Sequence, residues 1–152
     1  VTPLEVASGG GSGYVSRSES ETEQLGAEIG RDLSEGDVVY LEGPLGAGKT
    51  ALARGLARGL AARWEEVASP TFAIVNEYAD AAGRIVLRHL DLYRIPERDG
   101  ELERIGVPDA MTGAPVAVEW PREAIRRLLP PTVEVRITPA PDGTREIHVA
   151  RD

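Results

Sequence analysis

The chain has 152 residues, room for one compact domain with a substantial core and too few for two. With 41% hydrophobic and 28% charged residues and no cysteine, it reads as an ordinary globular chain. Disulfides, thiolate nucleophiles and Cys-ligated metals are excluded, and a cytoplasmic setting is expected. The net charge of −8 argues against a protein that works by gripping phosphate backbones with a basic surface, and no apolar run is long enough for a membrane-spanning helix.

Residues 1–17 include Gly9-Gly10-Gly11-Ser12-Gly13 and are expected to form a flexible tail, with no secretory signal pattern. Residues 18–152 then form the domain. Ser18-Glu19-Ser20-Glu21 fits a capping box, and Leu25, Ile29 and Leu33 repeat on one face of the helix it opens. Val38-Val39-Tyr40-Leu41 has the composition of a buried strand. Leu52, Leu56 and Leu60 mark a second helix. Gly55 and Gly59 weaken it by about 1 kcal/mol each, which points to close packing against another element. Arg54, Arg58 and Arg63 read as a solvated face.

Strands are expected over residues 73–78 and 84–92, around a turn at 80–83, with short charged helical pieces over 97–111. Val116-Ala117-Val118 is another buried strand. Pro121 suits the first position of a helix carrying Ile125 and Leu128, and Pro130-Pro131 ends it. Residues 133–138 and 145–149 form a hairpin. This order of elements predicts a single α/β domain, a P-loop NTPase fold with a central sheet, partly parallel and partly antiparallel, flanked by helices.

The phosphate-binding signal lies between the first strand and the second helix. Gly43-Pro44-Leu45-Gly46-Ala47-Gly48-Lys49-Thr50 matches G-x-x-x-x-G-K-[ST] in full. Glycines let successive amides turn toward one anion, and the helix that follows aims its N-terminus at the same point. Lys49 supplies a compact charge to the β- and γ-phosphates, and Thr50 a hydroxyl for Mg²⁺. Of the 17 basic residues, sixteen are arginine and one is lysine, Lys49; a chain that otherwise uses Arg keeps an ammonium where phosphate chemistry needs one. Guanine readers usually carry an Asn/Thr-Lys-x-Asp motif, which needs a second lysine, so adenine is the expected base.

Such a site also needs a carboxylate at the end of a neighbouring strand. Asp91 and Glu119 both end apolar stretches; each is either that acid or a solvated strand end. Asp37 and Glu42 are less suitably placed. His89 and His148 read as isolated histidines with no metal role.

Several motifs together resemble the TsaE (YjeE) family, small P-loop ATPases of bacterial tRNA threonylcarbamoyladenosine synthesis. They are Ser69-Pro70-Thr71-Phe72, then His89-Leu90-Asp91-Leu92-Tyr93-Arg94, then Glu119-Trp120-Pro121, all downstream of the Leu45–Thr50 loop. Ser18, Glu21 and Thr22 at the first helix, and Glu101, Leu102 and Gly106, are also similar to that family. The resemblance covers residues 18–149.

It implies that Thr50 and Glu119 hold Mg²⁺, with Asp91 as the Walker-B-like acid, and that Leu45, Gly46, Ala47, Gly48, Lys49 and Thr50 wrap the phosphates of ATP. It implies a γ-phosphate-sensing role for Thr71, a place beside adenine for Ser18 and Thr22, Trp120 packed near the site, and Arg145 approaching the nucleotide. Lys49, Asp91, Glu119 and Thr71 are thus the expected catalytic set. The implied partners are TsaD- and TsaB-type proteins of the complex that attaches threonylcarbamoyl to the adenosine beside the anticodon, with indirect tRNA contact and no membrane.

One position departs from the family: Pro44 stands where the family often has Asp, which stiffens the loop and removes an acid. Two other functions remain open on the sequence: a small-molecule P-loop kinase, and a nucleotide-gated binding subunit with little hydrolysis of its own.

Overall fold

The computed structural model describes residues 4–6, 10–63, 66–68, 75–95, 98, 100–104, 106–107 and 111–152. The strands are β1 (Leu4–Val6), β2 (Ser12–Ser16), β3 (Val38–Glu42), β4 (Glu66–Ala68), β5 (Val75–Ala79), β6 (Ile85–Asp91), β7 (Val116–Glu119), β8 (Val133–Pro139) and β9 (Arg145–Arg151). The helices are α1 (Glu19–Arg31), α2 (Lys49–Gly59), α3 (Glu101–Arg104) and α4 (Glu123–Leu128).

The described strands form one sheet in the order β1-β2-β9-β8-β3-β7-β6-β5-β4. Its centre, β8-β3-β7-β6, is parallel and both flanks are antiparallel. The mixed sheet read from the sequence is what the chain forms.

The centre is covered on both faces, so β3 is apolar throughout. Val39 and Leu41 face a core shared with α1 and α2, through Leu25, Ile29, Leu52 and Leu56. Val38 and Tyr40 face a second core that holds Leu102 of α3 and Ile125 of α4. The Tyr40 hydroxyl donates to the carbonyl of Leu129 at 2.7 Å, tying the end of α4 to the middle strand.

Helices α1 and α2 touch through glycines. A Cβ on Gly55 would lie 2.1 Å from the Glu23 carbonyl oxygen, and one on Gly59 2.2 Å from that of Ala27. Gly26 and Gly30 on α1 are equally crowded by the carbonyls of Leu52 and Leu56. The close packing expected of Gly55 and Gly59 is therefore real, and its partner is α1. Arg54 and Arg58 are solvent-facing, as read, and also reach across this seam: Arg54 pairs with Glu19 at 3.0 Å and Arg58 with Glu23 at 3.3 Å.

The N-terminal segment departs from expectation. Residues 12–16, placed by sequence in a flexible tail, pair along β9 over five positions, and residues 4–6 pair with β2. Gly11 lies so close to β9 that a Cβ would stand 2.5 Å from the Val149 carbonyl oxygen. Glycine there serves close backbone approach rather than flexibility.

At the start of α1, Ser18 caps the helix as expected, accepting from the Glu21 amide at 3.1 Å. Glu21 reaches one residue further back than a capping box requires, accepting from the Arg17 amide at 2.7 Å. Helix α4 begins at Glu123 with Arg122 as its cap, so Pro121 lies just outside the helix it was expected to open.

Two outcomes follow from this packing. Gly55→Ala favours the isolated helix by about 1 kcal/mol, but overpacking the seam costs about 1–3 kcal/mol or more. Urea unfolding is therefore expected to show a net loss of stability. Burial is the main cause that pushes the Tyr40 phenol up to about 12, from the ordinary 10.0. The folded chain keeps that proton after the unfolded chain has lost it, so the contribution is present below pH 10 and is lost as pH rises through 12. Comparing denaturation of Tyr40→Phe with the parent across that range should show a shallower alkaline decline in the variant.

Candidate nucleotide-binding site

The loop between β3 and α2 turns on glycines that other residues cannot replace. Gly46 and Gly48 have φ of 77° and 111°, a left-handed region that side chains rarely adopt. Gly48 is also the N-cap of α2, and no side chain caps the helix there. The first-turn amides are left to meet an anion, with the positive end of the helix dipole behind them.

Lys49, the first residue of α2, is buried. Its Nζ donates to the carbonyls of Gly43 and, at 3.1 Å, of Pro44, and it lies 3.8 Å from the centroid of the Trp120 ring. Burial pulls the lysine pKa below its ordinary value, and the nearby charges of Glu119 and Asp91 pull the other way. An ammonium stripped of water in this manner gains from any anion that reaches it.

The two carboxylates come from neighbouring parallel strands. Asp91 ends β6 and Glu119 ends β7, and they are register partners; Glu119 is in turn the partner of Leu41 on β3. Parallel pairing thus brings two separate apolar runs to a common edge beside the loop. Asp91 is exposed and accepts from the Tyr93 amide at 3.0 Å. Glu119 is buried, and its Oε2 lies 2.9 Å from Nε2 of His89. Sequence reading left His89 without a role; it is the hydrogen-bond partner of a site carboxylate. By contrast Asp37 is bonded to Thr132 and Ser34, and Glu42 is paired with Arg126 and Arg136. Neither enters the cleft.

A cleft of about 380 Å³ joins these groups. It is lined by residues 45–51, Asp91, Glu119, Thr22, Arg145, Trp120, Glu19 and Tyr93. Of the residues expected at the site, the structure brings together Leu45, Gly46, Ala47, Gly48, Lys49, Thr50, Asp91, Glu119, Thr22 and Arg145. Ser18 is not in the lining; its hydroxyl is spent on capping α1. Thr71, with the rest of residues 69–74, lies outside the described residues.

Arg145, at the start of β9, donates to the carbonyls of Ala47 and, at 3.1 Å, of Gly46. These bonds tie the start of β9 to the loop. Trp120 has a left-handed φ of 58°, unusual for a large residue, and stacks on Tyr93 with centroids 4.9 Å apart. Arg122 fastens this pair by donating to the carbonyls of Tyr93, at 3.1 Å, and Ile95. Glu19 and Tyr93 were not expected at the site. The exposed, aromatic character of Tyr93 two residues after Asp91 was the available signal.

Thr50, Asp91 and Glu119 offer oxygen donors only. That set suits Mg²⁺, which prefers one or two carboxylates, a hydroxyl and substrate phosphates to an all-protein cage. No group of three His, Cys, Asp or Glu side chains able to hold a metal occurs among the described residues. The donors present therefore fit a cation that arrives with phosphate.

The family model described as threonylcarbamoyl adenosine biosynthesis protein TsaE matches residues 16–147. The chain belongs to the TsaE family. It is 41% identical over 137 residues to the tRNA threonylcarbamoyladenosine biosynthesis protein TsaE of Treponema pallidum, covering 90% of this chain and 98% of that one. It is 39% identical over 132 residues to the protein of the same name from Nostoc, covering 84% and 78% respectively. Among solved structures, the Bacillus subtilis YdiB crystal structure is similar with a TM-score of 0.64 and 29% identity, over 100% of this chain and 89% of that one.

The family serves tRNA threonylcarbamoyladenosine biosynthesis and is of P-loop NTPase type. No helix among the described residues is long and apolar enough to cross a membrane.

Removing the brace on this TsaE-family loop should be felt at the ligand. Arg145→Met deletes two charge-assisted hydrogen bonds, worth about 1.5–3 kcal/mol each. If half of one is felt in binding, ATP affinity falls roughly tenfold or less. Calorimetric titration of the two proteins measures this, and a lowered melting temperature is expected alongside it, since the same bonds hold the folded loop.

Proposed function

We propose that the chain binds ATP with Mg²⁺ in this cleft and hydrolyses it, in the cytoplasm, to support formation of threonylcarbamoyladenosine beside the tRNA anticodon. It acts on a transfer complex of TsaD- and TsaB-type proteins, which stimulates the hydrolysis. The observation that carries this reading is the meeting of one edge of three parallel strands: the glycine loop with Lys49 after β3, Asp91 at the end of β6, and Glu119 at the end of β7.

In this reading the loop amides and Lys49 take the β- and γ-phosphates, and Lys49 leaves its carbonyl partners for the stronger anion. Thr50, Glu119 and Asp91 hold Mg²⁺, which neutralises charge on the phosphates when bound. A water attacks the γ-phosphorus in line. Its oxygen bonds to phosphorus, the bond to the bridging oxygen breaks, and ADP and phosphate leave. Asp91 and Glu119 are the carboxylates available to orient that water and take its proton. Trp120 and Tyr93 form an apolar rim that limits stray water. Thr22 and Arg145 flank the loop on the side where the nucleoside extends.

The charge balance supports indirect tRNA contact. A chain at −8 with one lysine, and that lysine buried in the loop, is poorly equipped to hold RNA by itself.

The test is ATP turnover in the presence of the TsaD- and TsaB-type partners. Lys49→Ala or Glu119→Ala should reduce partner-stimulated phosphate release to background. Parent-level turnover in both variants would refute these roles. Tight ATP binding with no ADP formed under any partner condition would instead favour a nucleotide-gated subunit, a reading to which the missing acid at Pro44 lends weight.

A further inference from the structure

Among the described residues, one buried side-chain polar atom lacks a hydrogen-bond partner: Nδ1 of His89. The residue sits within β6, in register with Ala117 of β7 and Asn76 of β5. Its other nitrogen, Nε2, is 2.9 Å from Oε2 of Glu119, and both side chains are more than nine-tenths buried. A carboxylate can only accept, so Nε2 carries the ring proton and donates it to this bond. Nδ1 meets no hydrogen-bond partner among the described residues.

A histidine left half-satisfied in a sheet interior is a poor choice for stability, since an aliphatic residue would bury no polar atom. What the ring does accomplish is to hold one oxygen of Glu119. The other, Oε1, takes no hydrogen bond among the described residues, and Glu119 lines the cleft.

We propose that His89 is the positioning residue of Glu119: its Nε2–H fixes Oε2 and so sets the carboxylate with Oε1 offered to the cation. This rests on the ATP–Mg²⁺ reading above. It adds that the third residue of the set acts through a hydrogen bond and does not touch the ligand. Partners that orient a metal-binding side chain in this way typically govern metal affinity about 10–100-fold.

The chain has two histidines, so the rings are separable by nitrogen NMR on ¹⁵N-histidine-labelled protein, with His148→Gln assigning the pair. The His89 ring is expected as a single Nε2–H tautomer whose signal moves on Glu119→Ala. In parallel, Mg²⁺ is titrated into the protein with a non-hydrolysable ATP analogue. His89→Leu should weaken Mg²⁺ about 10–100-fold, leave metal-free binding of the analogue unchanged, and match Glu119→Ala. His89→Gln, which returns a donor near Nε2, should recover most of the loss.

A ring with no proton on Nε2 overturns the proposal. So does parent-like Mg²⁺ affinity in His89→Leu while Glu119→Ala is impaired. If Glu119→Ala itself keeps parent affinity, the ATP–Mg²⁺ reading of the cleft falls, and the proposal with it.

Discussion

The cleft depends on two parallel pairings, β3 with β7 and β7 with β6. Parallel neighbours end at the same side of a sheet, so whatever follows β3, β6 and β7 emerges together. For β3 that is the glycine loop; for β6 and β7 it is a carboxylate. Had either flanking pair been antiparallel, Asp91 or Glu119 would have been delivered to the far edge. The double burial that parallel pairing requires is met by α1 and α2 on one face and α3 and α4 on the other, which is why the middle strand carries no polar side chain on either face before Glu42.

Within that frame the charged side chains lining the cleft are Lys49 and Arg145 against Glu19, Asp91 and Glu119. Lys49 is desolvated, and it meets carbonyl oxygens, an aromatic face and, through space, the charges of two carboxylates. None of these contacts neutralises it as a bound phosphate would. The same low-dielectric setting makes Glu119 costly unless held, and His89 holds it. Arg145, in the cleft lining, and Arg122, beyond it, act on backbone carbonyls. They shape the loop and the aromatic rim without adding a charge contact to either site carboxylate.

Much of this was legible in the residues. A strand of four apolar residues running into a glycine loop and a leucine-spaced helix identifies the phosphate site from local pattern alone. Asp91 and Glu119 could be found as acids ending apolar runs, though not shown to face each other, because parallel register is a long-range property. The same limit hid His89: nothing within its own segment says which residue of β7 lies beside it.

The N-terminal segment misled for a different reason. Five residues of glycine and serine look like a linker until β9, more than 130 positions away in sequence, supplies hydrogen bonds that need a bare backbone. Arg54 and Arg58 do face solvent, but the acids they pair with belong to another helix and are not legible from their own segment.

The glycine seam between α1 and α2 bears on how this cleft can recognise anything. Thr22 belongs to one helix and Lys49 to the other, and the backbones of the two are in van der Waals contact along four bare positions. A joint that tight has no slack to take up by sliding side chains. The wall that Thr22 supplies and the floor that Lys49 supplies are therefore held at one fixed spacing. Adjustment is left to the aromatic rim on the opposite side.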